Sequence, residues 1–246
     1  MKIARLKIND KIYSGFIEEE YLITKEGAIK IENVKWLPPC EPSKIIGLAL
    51  NFKEHAEELG LSMTEDPIIF LKPNNTLIGH LENIIYPKGA KFVHYEGELA
   101  VVIGSKCKYV KENEALNYVL GYTIANDVTA RDFITNFFRP PIKAKGFDTF
   151  LPLGPFIVTR DEIDDETEFE ITTKVNGDVK QKGNTKTFIH SIPKVIAFLS
   201  SFMTLYPGDV ILMGTPRGIS PLKANDLIEI TIDKIGTLAN RIVEEN

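Results

Sequence analysis

At 246 residues and 43% hydrophobic content, the chain is long enough for one large domain, or a large domain with a small companion, around a sizeable core. Its 34 acidic and 29 basic side chains are interspersed and leave a net charge of -5, which excludes a basic face for nucleic acid or for an anionic membrane. Cys40 and Cys107 lie far apart without C-x-x-C spacing, excluding a zinc knuckle and a disulfide framework and fitting a reducing, cytoplasmic setting; no stretch approaches the roughly 18 apolar residues of a membrane span.

In chain order, residues 1 to 35 read as short strands: KIARLKI, KIYSGFI, YLITKEG with its turn, and AIKIENVKWL. The N-terminus alternates apolar and polar residues as a strand does and lacks the apolar core of an export signal. The prolines of WLPPCEPSK fix the backbone and break any ladder, so a boundary falls there: a small β-rich N-terminal domain with its linker over 1–42, and a second domain over 43–246. IIGLALN follows as a buried strand. NFKEHAEELG then reads as a short helix, with Asn51 in an N-cap position and Gly60 as its stop.

From residue 68 onward, apolar runs recur between Gly, Pro and Asn: IIFLK, TLIGH, ELAVVIG, YVLGYTIAND, PFIVTR, EFEITTKVNG, DVILMG and LIEITIDKIG. That rhythm points to a mainly β fold. Two stretches are helical, ENEALNYV and SIPKVIAFLSSFM, the second through the apolar face of Ile192, Val195, Ile196 and Leu199. The Asn-Gly pair of TKVNGDVKQ predicts a hairpin.

Candidate chemistry begins in HYEGELAVVIG, where Glu96 and Glu98 project to one side of a strand and Gly97 and Leu99 to the other. Both faces of this strand are apolar further on, so the carboxylates are partly desolvated and, without a counter-charge, one must hold a proton. A hard divalent cation with oxygen ligands resolves the conflict; a solvent-facing pair at a sheet edge is the ordinary alternative. Asp127 ends the next apolar run, either as a third carboxylate in a pocket or as the cap of a turn at Val128. Arg131 and Asp132 fit an ion pair that holds this turn. His55 and Glu58, at i and i+3, share a helix face, either as a general base with its orienting carboxylate or as a solvated pair.

RPPIKAKGFDTFLPLGP gathers Arg139, Lys143 and Lys145 around prolines and aromatics, as an anion-binding loop does, although surface lysines are common. LMGTPRGI ends a strand in a turn whose Thr215 hydroxyl and amides either bind an acid group or merely turn the chain. There is no G-x-x-x-x-G-K-[ST], G-x-S-x-G or H-E-x-x-H, and the four histidines show no metal-ligand spacing. Oxygen ligation is the better fit.

Together GLALNFKEHAEELG, IIFLKPNNTLIGH, VHYEGELAVVIG, GYTIANDVTARDF, KAKGFDTFLPLGP, VNGDVKQKGNTKTFIHSIPKVIAFLSSFMTLYPGDVILMGTP and IGTLAN resemble, in order, the fumarylacetoacetate hydrolase family. The resemblance implies a mixed β-sandwich roll in a metal-dependent catalytic domain. Glu96, Glu98 and Asp127 would be ligands to one divalent ion, Mg²⁺ first, with Mn²⁺ or Ca²⁺ as alternatives. Lys145 would stand near the metal, and His55 with Glu58 would form the H-x-x-E pair of a lid over residues 50–65. Arg131 and Thr215 fall on T-A-R-D and G-T-P motifs that contribute to the substrate site.

The chain departs from many relatives at Phe52, where Tyr is common, and at Phe133 and Ile134, where R-D-x-Q is common. Those departures touch substrate choice. NFFRPPIKAKGFDTFLPLGP is similar to the 2-hydroxyhepta-2,4-diene-1,7-dioate isomerase and decarboxylase branch, in which Arg139 or Lys143 would meet a distal carboxylate. The implied activity is isomerisation or decarboxylation of an unsaturated 2-oxo dicarboxylate in aromatic catabolism, with acylpyruvate hydrolysis and oxaloacetate decarboxylation as alternatives. The implied form is a cytoplasmic homodimer acting on a small 2-oxo acid.

Overall fold

The computed structural model describes residues 1–58, 60, 64–134 and 140–245, without the side chain of His55. Among these residues the chain is mainly β. The largest sheet has 12 strands, ten of them in the order Gly27–Lys30, Tyr21–Thr24, Lys11–Glu18, Lys2–Ile8, Leu151–Thr159, Val119–Asn126, Gly97–Ile103, Val210–Leu212, Ile45–Ala49 and Ile68–Lys72. Lys35–Leu37 joins it beside Lys2–Ile8, and Leu77–Ile78 beside Leu151–Thr159. A second sheet of five strands runs Asp178–Asn184, Glu170–Val175, Leu227–Ile232, Gly236–Glu244 and Asn83–Tyr86.

The strand Gly97–Ile103 lies where these layers meet, and its sequence dictates that position. Leu99, Val101 and Ile103 face a large core with Ile171 and Ile230 of the second sheet and Val195, Ile196 and Leu199 of a helix. Ala100 and Val102 face the other way, into a cluster with Ile45, Leu153, Val210 and Leu212. A strand that is apolar on both faces, as this one is from Leu99 onward, is stable only when covered on both, and every residue of it is buried. At Gly97 the second sheet comes so near that a Cβ would stand 2.4 Å from Thr173 Oγ1, so only glycine fits.

Local turn chemistry behaves as the residues require. Val175 pairs with Asp178 across a two-residue loop in which Asn176 and Gly177 both have positive φ, 52° and 86°. Backbones of that hand match the twist of the flanking strands, and Asn-Gly supplies them at low cost. The helix Ile192–Phe202 starts where Ser191 Oγ accepts from Lys194 N, with Pro193 in its first turn.

Several expectations change in the folded chain. AIKIENVKWL divides into Gly27–Lys30 and Lys35–Leu37, because Asn33 turns the backbone with φ 51°. Only Leu77–Ile78 of TLIGH is a strand, and ENEALNYV winds as a 3₁₀ helix over Glu112–Tyr118. Asn51 does not cap the helix Lys53–Glu58; the Phe52 carbonyl accepts its first bond, from Ala56 N. Instead the buried Asn51 amide donates to the carbonyls of His190 and Met213 and accepts from His190 N, stitching three segments together.

Candidate active site

Antiparallel pairing builds the site. Gly97 sits opposite Asn126 and Glu98 opposite Ala125, so Glu96, just before one strand, stands next to Asp127, just after the other. Asp127 N donates to the Glu96 carbonyl at 2.9 Å, fixing that register at the strand ends. Glu96, Glu98 and Asp127 each bring a carboxylate oxygen within 4.8 Å of the others, and they are only 5%, 1% and 0% exposed. Neither the solvent-facing pair nor the turn cap describes them.

Among the described residues, three cations surround the carboxylates. Lys145 Nζ, at the end of the short helix Ile142–Lys145, donates to Glu96 Oε2 at 3.0 Å, Asp127 Oδ2 at 2.5 Å and Thr129 Oγ1 at 2.8 Å. Arg131 pairs through Nη2 with Glu96 Oε1. Lys72, the last residue of Ile68–Lys72, donates to Asp127 Oδ1 at 2.6 Å and to the Val128 carbonyl at 3.1 Å. Glu98 has a backbone partner, Gly214 N, at 2.7 Å from its Oε2.

The electrostatics follow from burial. Desolvation, then Asp127 and Glu96, hold the Glu98 carboxyl well above the usual range against the opposing pull of Lys145 and Gly214 N–H. Burial works against the Lys145 ammonium too, but Asp127 and Glu96 outweigh it and its pKa is raised. Lys72 goes the other way: burial brings it down to about 8, with Asp127 resisting. Three hard oxygen donors this close, one of them strained toward protonation, are a donor set that a divalent cation of the Mg²⁺ type fits.

The G-T-P turn braces the glutamate strand. Thr215 Oγ1 donates to the Gly97 carbonyl at 3.0 Å and accepts from Gln181 Nε2 at 2.8 Å, while Gln181 Oε1 accepts from Gly97 N and Thr173 Oγ1. The helix Lys53–Glu58 stands beside the same turn, with Glu58 Oε1 accepting from Gly218 N at 3.3 Å. Tyr95, preceding the first glutamate, bonds the Gly218 carbonyl and Ser220 Oγ. Lys143 lies exposed on the outer face of its helix, its Nζ 4.1 Å from the centre of the Phe133 ring. Arg139 and the His55 side chain lie outside the described residues. Arg131, Lys145 and the three acids are thus assembled directly, whereas Thr215 holds backbone and Glu58 marks the rim.

Lys72 and Gln181 are the residues that sequence reasoning missed. The available signal for Lys72 was a cation closing the otherwise apolar run IIFLK, but its partner lies 55 residues away. Gln181 gave none, since three of its four hydrogen bonds reach elements distant in the chain.

A rolled β fold with a buried carboxylate triad flanked by lysines defines the class, and the comparisons agree. Residues 44–243 match fumarylacetoacetate (FAA) hydrolase C-terminal, and the chain belongs to the fumarylacetoacetate hydrolase family of enzymes. More particularly, it is 41% identical over 207 residues to the 4-hydroxyphenylacetate degradation bifunctional isomerase/decarboxylase of Escherichia coli, covering 84% of this chain and 48% of that one. The chain therefore spans about half the length of that relative. The solved 5-carboxymethyl-2-hydroxymuconate delta-isomerase of Mycobacterium smegmatis superposes with a TM-score of 0.90 at 41% identity, over 100% of both chains. The 2-hydroxyhepta-2,4-diene-1,7-dioate isomerase of Mycobacterium marinum does so with a TM-score of 0.89 at 37% identity, over 100% of this chain and 99% of that one.

Proposed function

We propose that the protein is a divalent-metal-dependent isomerase/decarboxylase of an unsaturated 2-oxo (2-hydroxy-diene) dicarboxylate in aromatic-compound catabolism. The observation that carries this reading is the convergence of Glu96, Glu98 and Asp127 within 4.8 Å, buried and ringed by cations. The names of the isomerase relatives support the substrate class. In this reading the three carboxylates hold the ion, Mg²⁺ first among the candidates. When bound, the ion supplies positive charge to the carboxylate and 2-oxo oxygen of the substrate and so stabilises the charge that builds there when a bond at C3 breaks.

The chain's own residues do the rest. Lys145 Nζ, anchored by Thr129, faces the incoming anion as an ammonium and can hand it a proton. Arg131 orients Glu96 and completes the positive wall; in this reading Lys143 and Arg139 would serve the distal carboxylate of the substrate. Transfer of the 2-hydroxyl proton to a carbon of the conjugated chain is isomerisation; loss of CO₂, with a proton taking its place on carbon, is decarboxylation.

One observation favours a second reading, acylpyruvate hydrolysis: the H-x-x-E helix stands beside the turn that donates to Glu98, with Glu58 bonded to Gly218. There His55, oriented by Glu58, would activate water. The two readings part in one assay series. Purified protein with Mg²⁺ should convert 2-hydroxyhepta-2,4-diene-1,7-dioate, lose more than a hundredfold in rate with EDTA or as Glu96→Gln, and keep that activity as His55→Ala. Cleavage of an acylpyruvate in its place, abolished in His55→Ala, would assign the hydrolase. In both readings we infer a cytoplasmic homodimer, which light scattering on the eluted protein checks.

A further inference from the structure

Lys72 is an unusual residue to find where it is. It ends an edge strand of the large sheet, its side chain is fully buried, and its ammonium donates to Asp127 Oδ1 and the Val128 carbonyl, the partners found among the described residues. A fold needs no charge at such a place. An apolar side chain of similar length closes a strand end as well, and exchanging a buried ion pair for packed apolar groups is often neutral or stabilising. Lys145 already serves Asp127 through Oδ2 and shares Glu96 with Arg131.

The charge count gives the extra lysine a purpose. Glu96, Glu98 and Asp127 carry three negative charges when ionised, and among the described residues Lys72, Lys145 and Arg131 carry three positive ones in contact with Glu96 or Asp127. A divalent ion held by the three carboxylates therefore leaves two positive charges in excess. Without Lys72 the excess is one.

We propose that Lys72 sets the charge of the site, raising it from one to two positive charges and so tuning it for ligands that present two negative charges within the first few ångströms. This inference rests on the metal-dependent reading above and deepens it. A 2-oxo acid fits that demand as it reacts, because its carboxylate is joined by the negative charge that gathers on the 2-oxo oxygen. A monoanion of the same shape leaves half the excess unanswered. Because Lys72 sits behind Asp127 and away from solvent, its charge is weakly screened and acts without touching the ligand. Lys72 is on this account a positioning residue in electrostatic terms.

Oxalate and oxamate test it, since they share a shape and differ by one charge. Mn²⁺ is titrated calorimetrically into wild type, Lys72→Met and Lys72→Arg, and each loaded protein is then titrated with the two anions. Wild type is expected to prefer oxalate at least a hundredfold, Lys72→Arg to keep that preference, and Lys72→Met to lose about tenfold of it. Mn²⁺ itself should bind Lys72→Met at least as tightly as wild type, because a repelling charge has gone; a merely structural lysine would weaken metal and both anions alike. A wild-type preference near unity overturns the proposal without any variant, and so does an unchanged preference in Lys72→Met. Wild type that binds no Mn²⁺ overturns the metal-dependent reading and this inference with it, whereas Mn²⁺ binding with an unchanged preference overturns the charge-setting role alone.

Discussion

Cys40 shows how much a single residue's surroundings decide. Read from the sequence it is one of two thiols without a partner; in the fold, burial lifts its pKa from 9.0 to about 12, opposed by Arg5. The native state keeps a proton that the unfolded chain releases, so the stability associated with it is fully present below pH 9 and is lost as pH rises from 9 toward 12. Over that window the loss approaches about 1.4 kcal/mol per pH unit. Urea midpoints at pH 8 and pH 10 should drop less in Cys40→Ala than in wild type, and an equal drop would show that the thiol plays no part. The acids of the site were legible at this scale because alternation along a strand is a local rule, and Asp127 ends the neighbouring run. Lys72 was not, because a buried lysine and an exposed one read alike until the partner, on another strand, is known.

Elements were legible where their determinants are local. The Asn176–Gly177 hairpin and the Ser191-capped helix Ile192–Phe202 depend on a few adjacent residues, and both form. Asn51 misled because a polar residue before a helix reads as a cap, whereas its partners are His190 and Met213, far along the chain. The contact between sheets at Gly97 is equally hidden, since nothing near GEL in the sequence names Thr173. Gly97→Ala would put its Cβ 2.4 Å from Thr173 Oγ1 and 3.1 Å from Ile230 Cγ2. Overpacking of that kind costs about 1–3 kcal/mol, or a melting temperature lower by roughly 2–10 °C in a chain of this size. Thr173→Ala in the same chain should recover part of the loss, and a recovery of nothing would place the strain elsewhere.

For the whole molecule, the mainly β class was readable from recurring short runs, but the sheet order was not. The N-terminal strands join the large sheet through Lys2 paired with Val158 and Ile3 with Ile157, a contact that no local pattern announces. The family match begins at residue 44, and we propose that residues 1–42 are a small companion domain set against the catalytic one. Among the described residues no helix is long and apolar enough to cross a membrane.

The strand Gly97–Ile103, covered on both faces, has a dynamic consequence. Its amides are bonded within the sheet to Val119–Asn126 on one side and near Val210–Leu212 on the other, so they open only when the whole domain does. Deuterium exchange at Leu99 to Val102 should therefore be the slowest in the protein, by orders of magnitude relative to 53–58 and 216–220, and comparable rates would contradict it. Glu98 rides on that strand and Glu96 on its first pairing, while Glu58 rides on the short helix Lys53–Glu58, outside the sheet. The spacing among the acids at the centre should then stay put through every opening that leaves the middle of the sheet intact.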